Sequence, residues 1–221
     1  MIKRLFLLFL GTLFIAACQQ EEKDVAPSSF PESLRSLLMR VSQYPTSMDN
    51  VIDNTSCFGI KLPVSLVVND QQLTIYSEAG YSSVLVIFNQ SASDDDYVNL
   101  IFPLTIILKD FEEIVVESQQ ELDAIISNCE EDNGVSEIRC VNINYPLIFT
   151  TYSSNVQLAG TMSINNDAEL YNYLNNGAED YFMDVIYPVT LTNGLGQTTV
   201  VDSNAAFESA IQSQMSSCPS N

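Results

Sequence analysis

Five cysteines, Cys18, Cys57, Cys129, Cys140 and Cys218, stand beside 28 acidic residues and no histidine. Without imidazole the commonest general base is missing, and so is every Ser-His or Cys-His nucleophile. Zinc sites favour closely spaced cysteine pairs, often completed by histidine, and no CxxC spacing occurs here. Carboxylate pairs such as Glu112/Glu113 and Glu130/Glu131 could perform the acid/base work of a glycosidase. With this many acids, however, adjacency follows from composition alone. No glycine-rich phosphate loop, GxSxG elbow or HExxH helix is present, so no catalytic residue, cofactor or metal site is expected. Asp94-Asp95-Asp96 and Glu130-Glu131-Asp132-Asn133-Gly134 have the oxygen donors that suit calcium. Neither has EF-hand spacing, and both read more simply as solvated turns.

The formal net charge is −20. Proteins that neutralise phosphates need a Lys/Arg patch, so this balance argues against nucleic acid and favours solubility at a crowded surface.

The first residues place Lys3 and Arg4 before an apolar run from Leu5 to Leu10 and end in small residues, the layout of a secretory leader. A membrane span needs roughly 20 apolar residues, and this stretch is interrupted from Gln19 onward. Cleavage is the expectation. The tetrapeptide Ile15-Ala16-Ala17-Cys18 resembles the lipobox of bacterial lipoproteins. That resemblance implies cleavage before Cys18 and acylation of its sulfur and new amino terminus with palmitate-type chains, enough for stable anchoring because two or more chains hold where one does not. The following Gln19-Gln20-Glu21-Glu22-Lys23-Asp24 resembles the export tether of surface lipoproteins of Bacteroidota; a generic solvated linker is the other reading. Residues 1–17 are thus expected to be a signal peptide and 18–29 the lipidated cysteine and a flexible spacer. The expected address is the outer membrane, at the cell surface.

Beyond the tether, a proline flanked by apolar residues recurs in Leu62-Pro63-Val64, Phe102-Pro103-Leu104, Tyr145-Pro146-Leu147 and Tyr187-Pro188-Val189, at intervals of 40, 43 and 42 residues. Such periodicity signals repeats. Around each proline, alternate residues are apolar, as in Phe58, Ile60, Leu62, Val64, Leu66 and Val68, which predicts a strand with one buried face. Proline donates no ladder hydrogen bond, so each strand is expected to pair fully on one side only near its proline. Turn residues follow, then a second short strand, then a helix opened by Ser77, Ser118, Asn166 or Ser203 as N-cap. Glu121 and Glu169 complete capping boxes with Ser118 and Asn166.

The predicted fold is therefore α+β: four degenerate β-β-α repeats forming antiparallel sheet with helices on one face. Before them, residues 30–50 hold an amphipathic helix through Leu34, Leu37, Leu38 and Val41, expected to dock on the sheet, and a linker. Cys57 and Cys140 each lie six residues before a repeat proline, while Cys129 and Cys218 follow the helix of the next repeat. The chain thus reads as duplicated halves, 51–134 and 135–221, related by a pseudo-twofold. Two disulfides respect that duplication, either Cys57–Cys129 with Cys140–Cys218 or Cys57–Cys218 with Cys129–Cys140; the first set is preferred. Tyr152, Tyr171, Tyr173 and Tyr181 gather in the third repeat. Tyr171 and Tyr173, two apart on a helix, cannot both face the core, so at least one is expected to be exposed. Together these features predict a membrane-anchored, non-catalytic binding domain with a protein or other macromolecular partner; the alternative is a carbohydrate- or calcium-binding accessory of an uptake system.

Overall fold

Each alternating apolar run is cut at its proline. Phe58–Ile60 (β1) and Val64–Val68 (β2) are separate strands in different sheets, and the bonds Leu62-Pro63, Phe102-Pro103, Tyr145-Pro146 and Tyr187-Pro188 are all cis. This corrects the expectation of one continuous strand per repeat. The side chains keep their inward alternation on both sides of the break, but proline ends the ladder and the chain crosses to a neighbouring sheet.

The computed structural model describes residues 30–91, 95–129, 137–152, 158–177, 182–215 and 218. The first half runs α2 (Asn50–Asp53), β1, β2, β3 (Gln71–Ile75), a 3-10 turn into α3 (Ser82–Phe88), β4 (Val98–Leu100), β5 (Leu104–Leu108), β6 (Glu113–Val116) and α4 (Gln119–Asn128). The second runs β7 (Val141–Ile143), β8 (Leu147–Tyr152), β9 (Leu158–Ile164), α5 (Asp167–Asn172) with a π-helical turn Tyr173–Gly177, β10 (Phe182–Val185), β11 (Val189–Asn193), β12 (Thr198–Val201) and α6 (Asn204–Met215). The chain is α+β, with its antiparallel strands divided among four three-stranded sheets rather than a single layer: β3-β2-β4, β1-β5-β6, β10-β8-β9 and β12-β11-β7. In each half, the short strand of one repeat joins the hairpin of the other. Phe58 lies opposite Leu108 while Val68 lies opposite Val98, and Asn193 pairs with Val141 while Val185 pairs with Phe149.

Local chemistry explains the turns and caps. Asn69 and Asp70 both have positive φ, 45° and 65°, the backbone a two-residue hairpin needs and one that Asn and Asp tolerate best. Ser118 and Asn166 accept from the amides of Glu121 and Glu169 at 3.3 and 2.9 Å. The two glutamates reach back to the amides of Glu117 and Asn165, both at 2.8 Å, one residue beyond the cap. Ser77 makes no such side-chain bond, and its helix begins as a 3-10 turn.

Two cores result. Phe58, Leu66, Ile75, Val84, Ile106 and Leu122 fill the first half; Phe149, Leu170, Leu174, Leu191, Phe207 and Ile211 fill the second. The N-terminal helix α1 (Glu32–Val41) docks on the second core, not on the half that follows it in sequence. It packs against α5, α6 and β7, buries Leu34 and Leu38 completely, and donates from Arg35 Nη1 to the Leu174 carbonyl at 2.7 Å. Each fully buried aliphatic side chain contributes about 2 kcal/mol, and α1 buries two of them, Leu34 and Leu38, in this core. Among the described residues, no helix is long and apolar enough to cross a membrane.

Candidate functional site

The segment joining α1 to β1 gathers most of the buried polar chemistry. Its Tyr44 amide donates to the Lys109 carbonyl at 3.0 Å, and its ring stands edge-on to Phe111, 5.6 Å between centroids, which meets Tyr171 at 6.4 Å. Glu137 accepts from the amides of Thr46 at 2.7 Å and Ser47 at 3.3 Å, and from both hydroxyls, while Arg139 lies 3.7 Å away. One carboxylate so ties the segment to the start of the second half.

Beyond it the chain makes the single turn α2, capped by the buried Asp49 and ending on the partly buried Asp53. Asp49 is 2 % exposed; its Oδ2 accepts from the Ile60 amide at the end of β1, and its Oδ1 is buried without a partner. Asp53 accepts from the Thr55 amide at 3.2 Å through Oδ1, and its Oδ2 is likewise buried without a partner. Burial pushes Asp49 up to about 6 against the amide that stabilises its charge. Burial, reinforced by the Asp49 charge, pushes Asp53 up to about 8. Burial and the same acids also raise the Tyr81 phenol. The pair therefore retains a proton at neutral pH. The Asp49 carboxyl, enclosed in this way, can hold a proton for the fold but offers no open side to a substrate. Sequence reasoning passed over both acids, Asp49 in the linker 30–50 and Asp53 at the start of the half 51–134; the signal was their like-charge i, i+4 spacing, which disfavours a helix in water unless one of them is protonated.

The residues singled out by sequence fall in several places. Cys57 is bonded to Cys129 and Cys140 to Cys218, the within-half set. Cys18, its leader and tether, Asp94, Tyr181 and the loop Glu130–Gly134 lie outside the described residues. Asp96 accepts from Asn69 Nδ2 at 2.7 Å, and Glu113 pairs with Lys61. Among the described residues, no three Cys, Asp or Glu side chains gather as metal ligands. The tyrosines depart from expectation: Tyr171 and Tyr173 are both partly buried, Tyr173 against Phe149 at 5.3 Å and Tyr171 against Phe111 of the first half. The exposed aromatic anticipated on this helix is spent on an internal contact between halves.

What faces solvent is apolar in several places. Leu195 at the β11–β12 turn, Tyr76 after β3, Val200 on β12 and Val86 on α3 are 84, 77, 66 and 64 % exposed. The arrangement defines a disulfide-clipped α+β protein, built on strands exchanged between paired repeats and presenting apolar side chains outward. No protein-family model, curated protein or solved structure matches the chain.

Proposed function

We propose that this protein is a lipid-anchored interaction module, held on the outer membrane through Cys18 and displayed at the cell surface, where it binds a protein or other macromolecule without catalysis. The leader and the Ile15-Ala16-Ala17-Cys18 tetrapeptide support the anchor, and two disulfides suit an oxidising compartment. The observation that carries the binding role is the set of large apolar side chains left in solvent, among which Leu195 and Val200 belong to the same β11–β12 hairpin; apolar exposure gathered in one place marks interaction surfaces.

Metabolic labelling with an alkyne-bearing palmitate tests the anchor: the wild-type chain takes up label and Cys18→Ala does not. Protease shaving of intact cells tests orientation. Degradation supports surface display, whereas survival while surface markers are cut overturns it. Saturable thermal stabilisation by a glycan or by Ca²⁺ would replace the macromolecular partner with a small ligand.

A further inference from the structure

Residues 46–56 form a loop whose ends meet: Thr46 Oγ1 donates to the Ser56 carbonyl at 2.8 Å, and Asn50 Nδ2 donates to Ser56 Oγ at 3.0 Å. Both ends are also fixed from outside. Glu137 holds the Thr46 and Ser47 amides, and Cys57, next to Ser56, is bonded to Cys129. A compact loop pinned at its base can open as one piece while its surroundings stay folded. The loop carries α2, which packs on α3 and β4. Its one buried apolar side chain there is Ile52, with Val51 at the margin of the same core. Against that hold stand Asp49 Oδ1 and Asp53 Oδ2, both buried and both without a hydrogen-bond partner. Neutral carboxyls tolerate such burial. Two carboxylates one helical turn apart repel, and each would keep an oxygen that meets water only when the loop lifts.

We infer that loop 46–56 is a proton-held latch on the first core: with Asp53 protonated it is shut, and ionisation of both acids frees residues 48–55 and lifts Ile52 from its seat while the base at Thr46 and Ser56 stays closed. Burial raises both carboxyls, and the Asp49 charge raises Asp53 further. The latch is therefore shut in acid and opens as pH climbs past neutrality. Opening also takes from the Ile60 amide its acceptor, Asp49 Oδ2. The neighbouring elements do not offset the charge. Neither α3 nor β4 contains a titratable residue. The groups that face the acids and the two phenols beside them are Tyr44, Glu78, Tyr81, Glu113, Glu137 and Arg139. Of these Arg139 alone is cationic, and it is shared with Glu137 at 3.7 Å. Such a latch needs neither the membrane anchor nor a partner and lies beyond the interaction-module reading.

The test uses the mature chain with both disulfides, isotope-labelled for amide hydrogen exchange followed by NMR from about pH 5 to about pH 9. Rates are expressed as protection relative to an unfolded chain at the same pH, which removes the base catalysis of exchange itself. Protection of the Ile52, Asn54 and Ile60 amides is expected to fall by about tenfold or more across that range, while the amides of β5 keep theirs. Asp53→Asn keeps the shape and the oxygen that serves the Thr55 amide but removes one charge, so it should hold the three amides protected throughout. Ile52→Ala weakens the apolar hold and should bring the loss to lower pH. If β5 loosens in step with the loop, the half opens as a whole and no latch exists. Protection that stays flat in the wild-type chain, or a fall that survives in D53N, overturns the inference as well. Should D53N fail to fold, the wild-type profile of loop against β5 decides the matter alone.

Discussion

The amide of Lys61 donates to the carbonyl of Thr105 at 2.8 Å, and the bond recurs in kind at every repeat: Ile101 to Ser65 at 3.0 Å, Asn144 to Thr190 at 2.9 Å and Ile186 to Ile148 at 2.8 Å. In each case the donor lies two residues before a repeat proline and the acceptor two residues after the proline of the partner repeat. The exchange is reciprocal, so neither repeat of a pair can complete its three-stranded sheet alone. The structural unit is the pair of repeats, each pair closed by one disulfide.

Opening those disulfides should therefore act on the halves separately. They close loops over sequence separations of 72 and 78 residues, so each is worth about 4 kcal/mol in the chain-entropy view. Replacing Cys57 and Cys129 by serine is expected to lower the midpoint of denaturation and to increase hydrogen exchange in β1–β6 more than in β7–β12; the Cys140/Cys218 double variant should do the reverse. Equal loosening of both halves in either variant would refute this.

Stability should decline as pH rises from about 4 to about 8. Asp53 titrates near 8 in the fold and near 3.9 when unfolded, so across that interval the native state binds the extra proton. Stability is then full below the unfolded value and lost as pH climbs through the folded one. Asp49, near 6, adds to the same slope. The groups facing the pair are Tyr44, Tyr81, Glu137 and Arg139, and none reverses the sign. Thermal melts at pH 5 and 8.5 should differ by about 5 °C or more, and Asp53→Asn should flatten the difference. An unaltered slope in that variant rules the assignment out.

Gly59 in β1 sits beneath the interhalf segment. A Cβ built there would lie 2.8 Å from Tyr44 Cε1 and 3.1 Å from the Pro45 carbonyl oxygen. Gly59→Ala is expected to cost about 1–3 kcal/mol as overpacking, and Tyr44→Leu in the same chain should return part of it. If the alanine variant melts at the wild-type temperature, the close approach is not a constraint.

In the second half a tyrosine hydroxyl precedes each proline and reaches the start of its own repeat's helix. Tyr145 donates to Asp167 Oδ1 and Tyr187 to Asn204 Oδ1, both at 2.6 Å. Tyr145→Phe and Tyr187→Phe should each cost about 1 kcal/mol. Burial already raises the Asp167 carboxyl, and the Tyr145 hydroxyl counters that rise, so Y145F should move it further up. NMR titration of the Asp167 carboxyl reads this directly.

Much of this was legible from spacing. The hairpin turns at Asn69-Asp70 and Asn193–Gly196 and the caps at Ser118 and Asn166 are local properties that depend on residue types admitting few conformations, while the preference for the within-half cysteine pairing came from the repeated spacing and not from local structure. The candidate site was far less legible. Asp49 in the linker and Asp53 at the start of the first half give no sign of burial until α2 is folded against α3, because burial, not identity, raises their affinity for protons. Tyr171 looked exposed because its partner, Phe111, is 60 residues away in sequence.

The sequence by itself determined where the chain alternates, turns, begins helices and carries charge, since periodicity and proline act over a few residues. Only the tertiary structure decided which sheet each short strand joins and which core α1 covers. Proline ends a ladder without naming its next partner, and an apolar helix face fits any complementary groove. Those choices are made by contacts between segments distant along the chain, where the energies of whole packed surfaces select one arrangement.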